Sequence, residues 1–165
     1  MVSKPIVLIG PMGVGKTTIG KKLARKLGVE FVDTDQLVSK QHGEISKIFQ
    51  ESGEQTFRKY EEQALAQSLA VVQVVATGGG AVLSGANQRE LENATVVYLS
   101  TNGLHMQSRL SHGNRPLLKD GIADWRRIYE ERKPLYERLA DIEVDCSAAS
   151  LSKTITEICT KLEEL

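Results

Sequence analysis

The chain has 165 residues, enough for one domain with a sheet covered on both faces, and its 21 basic and 21 acidic side chains cancel. With no basic block or aromatic-interleaved stripe, that balance argues against nucleic acid as a partner. No stretch reaches membrane-spanning length, and Cys146 and Cys159 stand outside any C-x-x-C spacing, so a membrane partner, a zinc site and a disulfide are not expected. Reduced thiols in a cytoplasmic setting are the expectation, because the apolar run near the amino terminus is too brief for a signal segment.

Short β-branched runs alternate with helix-period segments along the chain, which predicts an α/β fold with a five-stranded parallel sheet and crossover helices. The first strand is read at Pro5 to Gly10. From Gly10 to Thr17 follows Gly-Pro-Met-Gly-Val-Gly-Lys-Thr, a full G-x-x-x-x-G-K-[ST] phosphate loop between that strand and a helix. Gly10, Gly13 and Gly15 remove the Cβ atoms that would keep backbone N–H groups from surrounding a polyphosphate, and the helix N-terminus points at the same anion. Lys16 supplies a point charge for the β and γ phosphates, and the Thr17 hydroxyl suits a Mg²⁺ that keeps most of its waters. The helix is predicted from Lys16 to Leu27, with Ile19, Leu23 and Leu27 as its buried stripe and Gly28 as its left-handed stop.

The second strand, Glu30 to Asp33, runs into Asp33-Thr34-Asp35 at the carboxyl end, where open parallel sheets bind ligands. Asp33 is placed to hold a water of the Mg²⁺ shell and Asp35 to hydrogen-bond an attacking hydroxyl, although Asp33 also reads as a helix N-cap. Residues 36 to 70 exceed one crossover and are broken by Gly43 and Gly53. Several helices forming an inserted substrate-binding element, about residues 34–70, are expected there. Within it Arg58 has Glu54, Glu61 and Glu62 at i−4, i+3 and i+4, spacings that also suit an ordinary surface ion pair.

The third strand, Val72 to Thr77, ends in Gly78-Gly79-Gly80, more glycine than a simple turn needs, which points to close approach by a ligand. The fourth strand is read at Thr95 to Leu99. Ser111 to Gly121 has loop-forming residues at both ends and Arg115 between them, the composition of a mobile lid. Arg132 precedes Pro134 by two residues in a helical segment that the proline is expected to kink, aiming Arg132 inward. The last strand is read at Asp141 to Asp145.

Taken in order and spacing, the phosphate loop, Asp33-Thr34-Asp35, Gly53-Glu54-Gln55-Thr56-Phe57-Arg58, Gly78-Gly79-Gly80, Arg115-Pro116-Leu117-Leu118 and Arg132-Lys133-Pro134-Leu135-Tyr136 resemble the shikimate kinases over nearly the whole chain. The resemblance implies a P-loop architecture of the nucleoside monophosphate kinase type, and transfer of the γ-phosphoryl group of ATP, with Mg²⁺, to the 3-hydroxyl of shikimate. It implies that Gly10, Met12, Gly13, Val14, Gly15, Lys16, Thr17 and Thr18 hold the triphosphate, and that Arg109 stacks on the adenine while Arg115 reaches the phosphates from the lid. On the acceptor side it implies that Asp35 binds ring hydroxyls and that Arg58 and Arg132 clamp the carboxylate. The backbone of Gly78, Gly79 and Gly80 would complete that pocket, with Phe49 and Phe57 as its apolar wall. The segment Asp145 to Ser150 departs from the arginine, asparagine or proline that family members often carry beside the base. A monomer with only small-molecule partners is expected.

Two rival readings are weighed. A gluconate kinase shares the loop and lid, but the triple glycine with Arg58 and Arg132 favours a carboxylated cyclic polyol. A nucleotide-dependent switch would carry N-K-x-D and D-x-x-G motifs, and neither occurs in the sequence.

Overall fold

The computed structural model describes residues 1–110 and 118–165. Strands β1 (Ile6–Ile9), β2 (Glu30–Asp33), β3 (Gln73–Ala76), β4 (Thr95–Ser100) and β5 (Ile142–Asp145) form one sheet in the order β2-β3-β1-β4-β5. Every pairing is parallel; Ile6 lies opposite both Val74 and Thr95, and Asp33 opposite Ala76. Among the described residues the connecting helices are α1 (Lys16–Leu27), α2 (Thr34–His42), α3 (Ile45–Ser68), α4 (Gly85–Leu91), α5 (Met106–Leu110), α6 (Ile122–Leu139) and α7 (Leu151–Glu163).

Central β1 reads Ile-Val-Leu-Ile with all four residues buried, because helices cover both of its faces. Alternation sorts the core into two layers. Ile6, Leu8, Val74, Val97 and Leu99 meet Ile19 and Leu23 of α1 and Ile155 and Ile158 of α7. Val7, Ile9, Val75, Val96 and Tyr98 meet Leu65 of α3, Leu91 of α4 and the aromatic stripe Trp125, Tyr129 and Tyr136 of α6. A third, smaller cluster of Val38, Ile48, Phe57 and Ala64 holds α2 against α3.

The predicted α1 matches the observed one at both ends, and Gly28 closes it at φ 69° with its N–H on Ala24 and Arg25 carbonyls. The first strand is shorter than its predicted span, since Pro5 has no N–H to pair and Gly10, at φ 147°, has already turned out of extended geometry. The inserted element is two helices, as its glycines suggested: α2 stops at Gly43, and α3 carries a non-helical Gly53 at φ 83° and ψ 168°. α6 is continuous through its proline. It runs through Pro134 as one helix from Ile122 to Leu139, and Arg132 on it is buried. No helix among the described residues is long and apolar enough to cross a membrane.

Candidate active site

The carboxyl ends of β1, β2 and β3 are neighbours in the sheet, so the segments that leave them meet in one place. They form a cleft of about 580 Å³ lined by Met12 to Ile19, Asp33, Asp35, Thr77, Gly78 and Gly79, with Arg109, Cys146, Ala149, Leu151 and Thr154 at its other end. Lys16 is nearly buried, and its Nζ donates to the Gly10 carbonyl at 2.6 Å and the Pro11 carbonyl at 2.8 Å. The loop thereby holds its own cation over the space its amides enclose.

Asp33 does two jobs. Its Oδ1 accepts from the Asp35 and Gln36 amides at 2.9 and 3.2 Å, so it is the N-cap of α2, while its Oδ2 accepts the Thr17 hydroxyl. Two hard oxygen donors therefore stand together at the end of the phosphate loop. The described residues contain no group of three or more His, Cys, Asp or Glu side chains suited to a metal. A hydroxyl beside one carboxylate fits Mg²⁺, which binds through few protein oxygens and keeps phosphate and water ligands for the rest.

The three glycines are explained by what lies against them. A Cβ on Gly78 would stand 2.8 Å from Asp35 Oδ1 and 3.1 Å from Glu61 Oε2. On Gly79 it would stand 3.3 Å from Met12 and 3.5 Å from the Arg132 guanidinium, and on Gly80 it would overlap the Arg58 guanidinium. None of the three has a positive φ, so close packing, against charged side chains at Gly78 and Gly80 and against Met12 at Gly79, and not backbone conformation, favours glycine here. These contacts are a second reason for glycine beside the close ligand approach expected from the sequence.

Arg58 is ion-paired as its helical spacing allows, to Glu61 at 3.0 Å and Glu54 at 3.1 Å, but it is not a surface residue: 17% of its side chain is exposed and it lies on Gly80. Glu62 instead accepts from the Ser84 hydroxyl. Arg132 is buried on α6 beside Gly79. Phe57 and half-buried Phe49, with ring centroids 5.0 Å apart, belong to the α2–α3 cluster behind Arg58 and do not line the cleft. Arg109 Nη1 donates to the Gly13 and Val14 carbonyls at 3.2 and 3.4 Å, which sets its guanidinium on the phosphate loop at the cleft's far end. Burial pushes the neighbouring Cys146 thiol up to about 11, so that end of the cleft carries a neutral SH. Arg115 and the lid as far as Leu117 lie outside the described residues.

Three residues that sequence reasoning did not place in the site converge on the same place. Glu61 is buried, and its Oε2 has no hydrogen-bond partner among the described residues. Burial pushes its carboxyl up to about 7, with the Asp35 charge adding to the rise and Arg58 and Arg132 opposing it. Trp125 Nε1 donates to the Met12 carbonyl at 2.7 Å, and the Tyr136 hydroxyl donates to the Gly79 carbonyl at 2.5 Å. The spacing of 125, 129, 132 and 136 marks one face of α6, but periodicity alone reads such a face as core.

The shikimate kinase family model matches residues 12–163. The chain belongs to the shikimate kinase family. A shikimate kinase of Francisella tularensis subsp. novicida is 41% identical, covering 98% of this chain and 96% of that relative. Among solved structures, a shikimate kinase from Acinetobacter baumannii in complex with shikimate superposes with a TM-score of 0.91 at 33% identity, covering 98% of this chain and 93% of the other. A gluconokinase from Sinorhizobium meliloti matches over 98% of this chain and 92% of its own with a TM-score of 0.67 at 19% identity, a likeness of fold. As a shikimate kinase, the chain is a phosphotransferase with ATP as its co-substrate. The phosphate loop, Asp33, Asp35, Gly78, Gly79 and Arg109 share its cleft, while Arg58, Gly80 and Arg132 adjoin them on one wall.

Proposed function

We propose that this enzyme, working as a single-domain cytoplasmic monomer, transfers the γ-phosphoryl group of ATP to the 3-hydroxyl of shikimate. The products are shikimate 3-phosphate and ADP, on the route to chorismate and the aromatic amino acids. The observation that carries the reading is the pair of guanidinium groups, half-buried Arg58 and buried Arg132, on adjacent glycines of the loop that also faces Asp35 and the phosphate loop. Two forks hold a planar carboxylate, each charge-assisted bond contributing roughly 1.5 to 3 kcal/mol, while Asp35 takes ring hydroxyls. Lysine at either position lacks the fork.

The acceptor oxygen forms a bond to the γ-phosphorus as the bond to the β–γ bridging oxygen breaks, and ADP leaves. Positioning and positive charge matter more here than a strong base. Met12 to Thr18 hold the triphosphate through backbone N–H groups, Lys16 and the helix N-terminus. Asp35 orients the hydroxyl and accepts its proton late in the transfer. Thr17 and Asp33 are the residues that would hold Mg²⁺, whose chemistry is to neutralise charge on the β and γ phosphates. Arg115 on the lid, about residues 111–121, adds positive charge at the transferring group and excludes water. Phe49 and Phe57 back the acceptor pocket from within the element at 34–70, and Arg109 flanks the adenine.

The test is a coupled ADP-release assay with Mg-ATP and shikimate, gluconate or no acceptor. Release that requires shikimate is expected. Release with gluconate alone would move the enzyme to the rival sugar-acid chemistry, and equal release in all three would make it an ATPase.

A further inference from the structure

Tyr136 ends the Arg132-Lys133-Pro134-Leu135-Tyr136 segment and has no part in the reaction described above. It is almost completely buried, and its ring stacks on Tyr98 with centroids 5.2 Å apart and planes at 21°. Its hydroxyl does not end in the core. It reaches across the fold to donate to the Gly79 carbonyl at 2.5 Å, fifty-seven positions away in the chain.

A trans peptide sends the carbonyl of one residue and the N–H of the next in opposite directions. Fixing the Gly79 oxygen on the α6 side therefore fixes the Gly80 N–H facing away from α6. Gly80 is buried beneath the Arg58 guanidinium, and its N–H finds no acceptor among the described residues. Buried backbone donors are seldom left without a partner, so this one, unpaired among the described residues, is available to a bound ligand.

The same hydroxyl faces Arg132, one helical turn earlier on α6. Burial pushes the phenol up to about 12, and the charge of the nearby Arg132 guanidinium works in the opposite direction. The Arg132 guanidinium itself packs against Gly79, whose carbonyl takes the Tyr136 proton. One hydroxyl thus fixes the loop on which both arginines pack.

We propose that Tyr136 is a positioning residue of the acceptor site: its hydroxyl holds the Gly79–Gly80 peptide, against which Arg132 packs, so that the Gly80 N–H meets the bound carboxylated polyol. This rests on the acceptor reading given above. It assigns Tyr136 no contact with the acceptor and no part in proton transfer.

Tyr136→Phe tests it, because phenylalanine keeps the ring and its stack on Tyr98 and removes only the oxygen. The shikimate KM is expected to rise about tenfold, equivalent to about 1.4 kcal/mol, with the ATP KM changing less than about twofold. Partial unfolding lowers the amount of active enzyme and so the apparent kcat, but leaves KM where it was; a lower melting temperature with an unchanged shikimate KM would make Tyr136 merely structural and overturn the proposal. A cycle with Arg132→Lys supplies the second readout. Strongly non-additive effects on the shikimate KM are expected, and full additivity would remove the link to Arg132. Wild-type enzyme in the same assay separates the two readings: no shikimate-dependent turnover there defeats the acceptor assignment itself, whereas normal wild-type turnover with an unaltered Tyr136→Phe defeats only this inference.

Discussion

Single residues in this site are defined by which groups they neutralise. Lys16 folds onto the Gly10 and Pro11 carbonyls, so its charge is in place before any nucleotide arrives. Lys16→Ala is expected to lower turnover by at least about 100-fold, with the far-UV spectrum of a folded α/β protein retained; near-normal turnover would remove Lys16 from phosphoryl transfer. Glu61 gives a different, pH-dependent signature. Its folded carboxyl is raised from 4.5 to about 7 by burial, so between those values the folded state binds a proton that the unfolded state releases. Its contribution to stability is full below about pH 4.5 and is lost as pH rises through 7, on the order of 1 to 3 kcal/mol. Glu61→Gln should flatten the fall in melting temperature of the ligand-free enzyme between pH 5 and pH 8, and an unchanged slope would mean that other groups carry it. The pairing of Arg58 with Glu54 and Glu61 was legible from i−4 and i+3 spacing. That the pair lies under Gly80 was not, because spacing fixes which residues share a helix face but not what that face meets.

At the scale of elements, α6 is the piece whose importance the sequence hid. Trp125 holds the Met12 carbonyl of the phosphate loop, Tyr129 bonds Tyr98 at 2.5 Å, Arg132 reaches Gly79, and Tyr136 bonds the Gly79 carbonyl. One face of one helix therefore braces both halves of the site. Trp125→Phe keeps most of the buried volume and loses the indole N–H; the ATP KM is expected to rise several-fold and by more than the shikimate KM. Equal changes in both, or none, would show that the indole bond does not set the phosphate loop. Strands were legible because their apolar runs are short and bounded by turn residues, and α1 because Gly15 and Gly28 punctuate it. The helix continues through Pro134. One missing N–H near the carboxyl end is tolerated where Tyr136, Tyr129 and Trp125 clamp the helix to the sheet.

For the whole molecule, the strand order is what makes the site. Residues 10–17, 33–35 and 78–80 are far apart in sequence, yet they leave the adjacent strands β1, β2 and β3 at the same edge of the sheet. The crossover pattern was legible from alternating strand and helix signals, whereas the order β2-β3-β1 depends on long-range packing that no local signal encodes. The α2–α3 element has its own small core and joins the sheet layers near the site, through Asp33, Leu65 and the glycine loop. Ligands that bridge those parts should bind the folded state alone. At one hundred times its Kd a ligand adds about 2.7 kcal/mol, which for a chain of this size raises the melting temperature by roughly 5 to 10 °C. Mg-ADP is expected to give such a shift by binding at the phosphate loop, and shikimate to add a further one through the α2–α3 element. In Arg58→Ala the Mg-ADP shift should persist while the shikimate shift collapses. If both shifts survive that substitution unchanged, the acceptor is held elsewhere than on the wall formed by Arg58, Gly80 and Arg132.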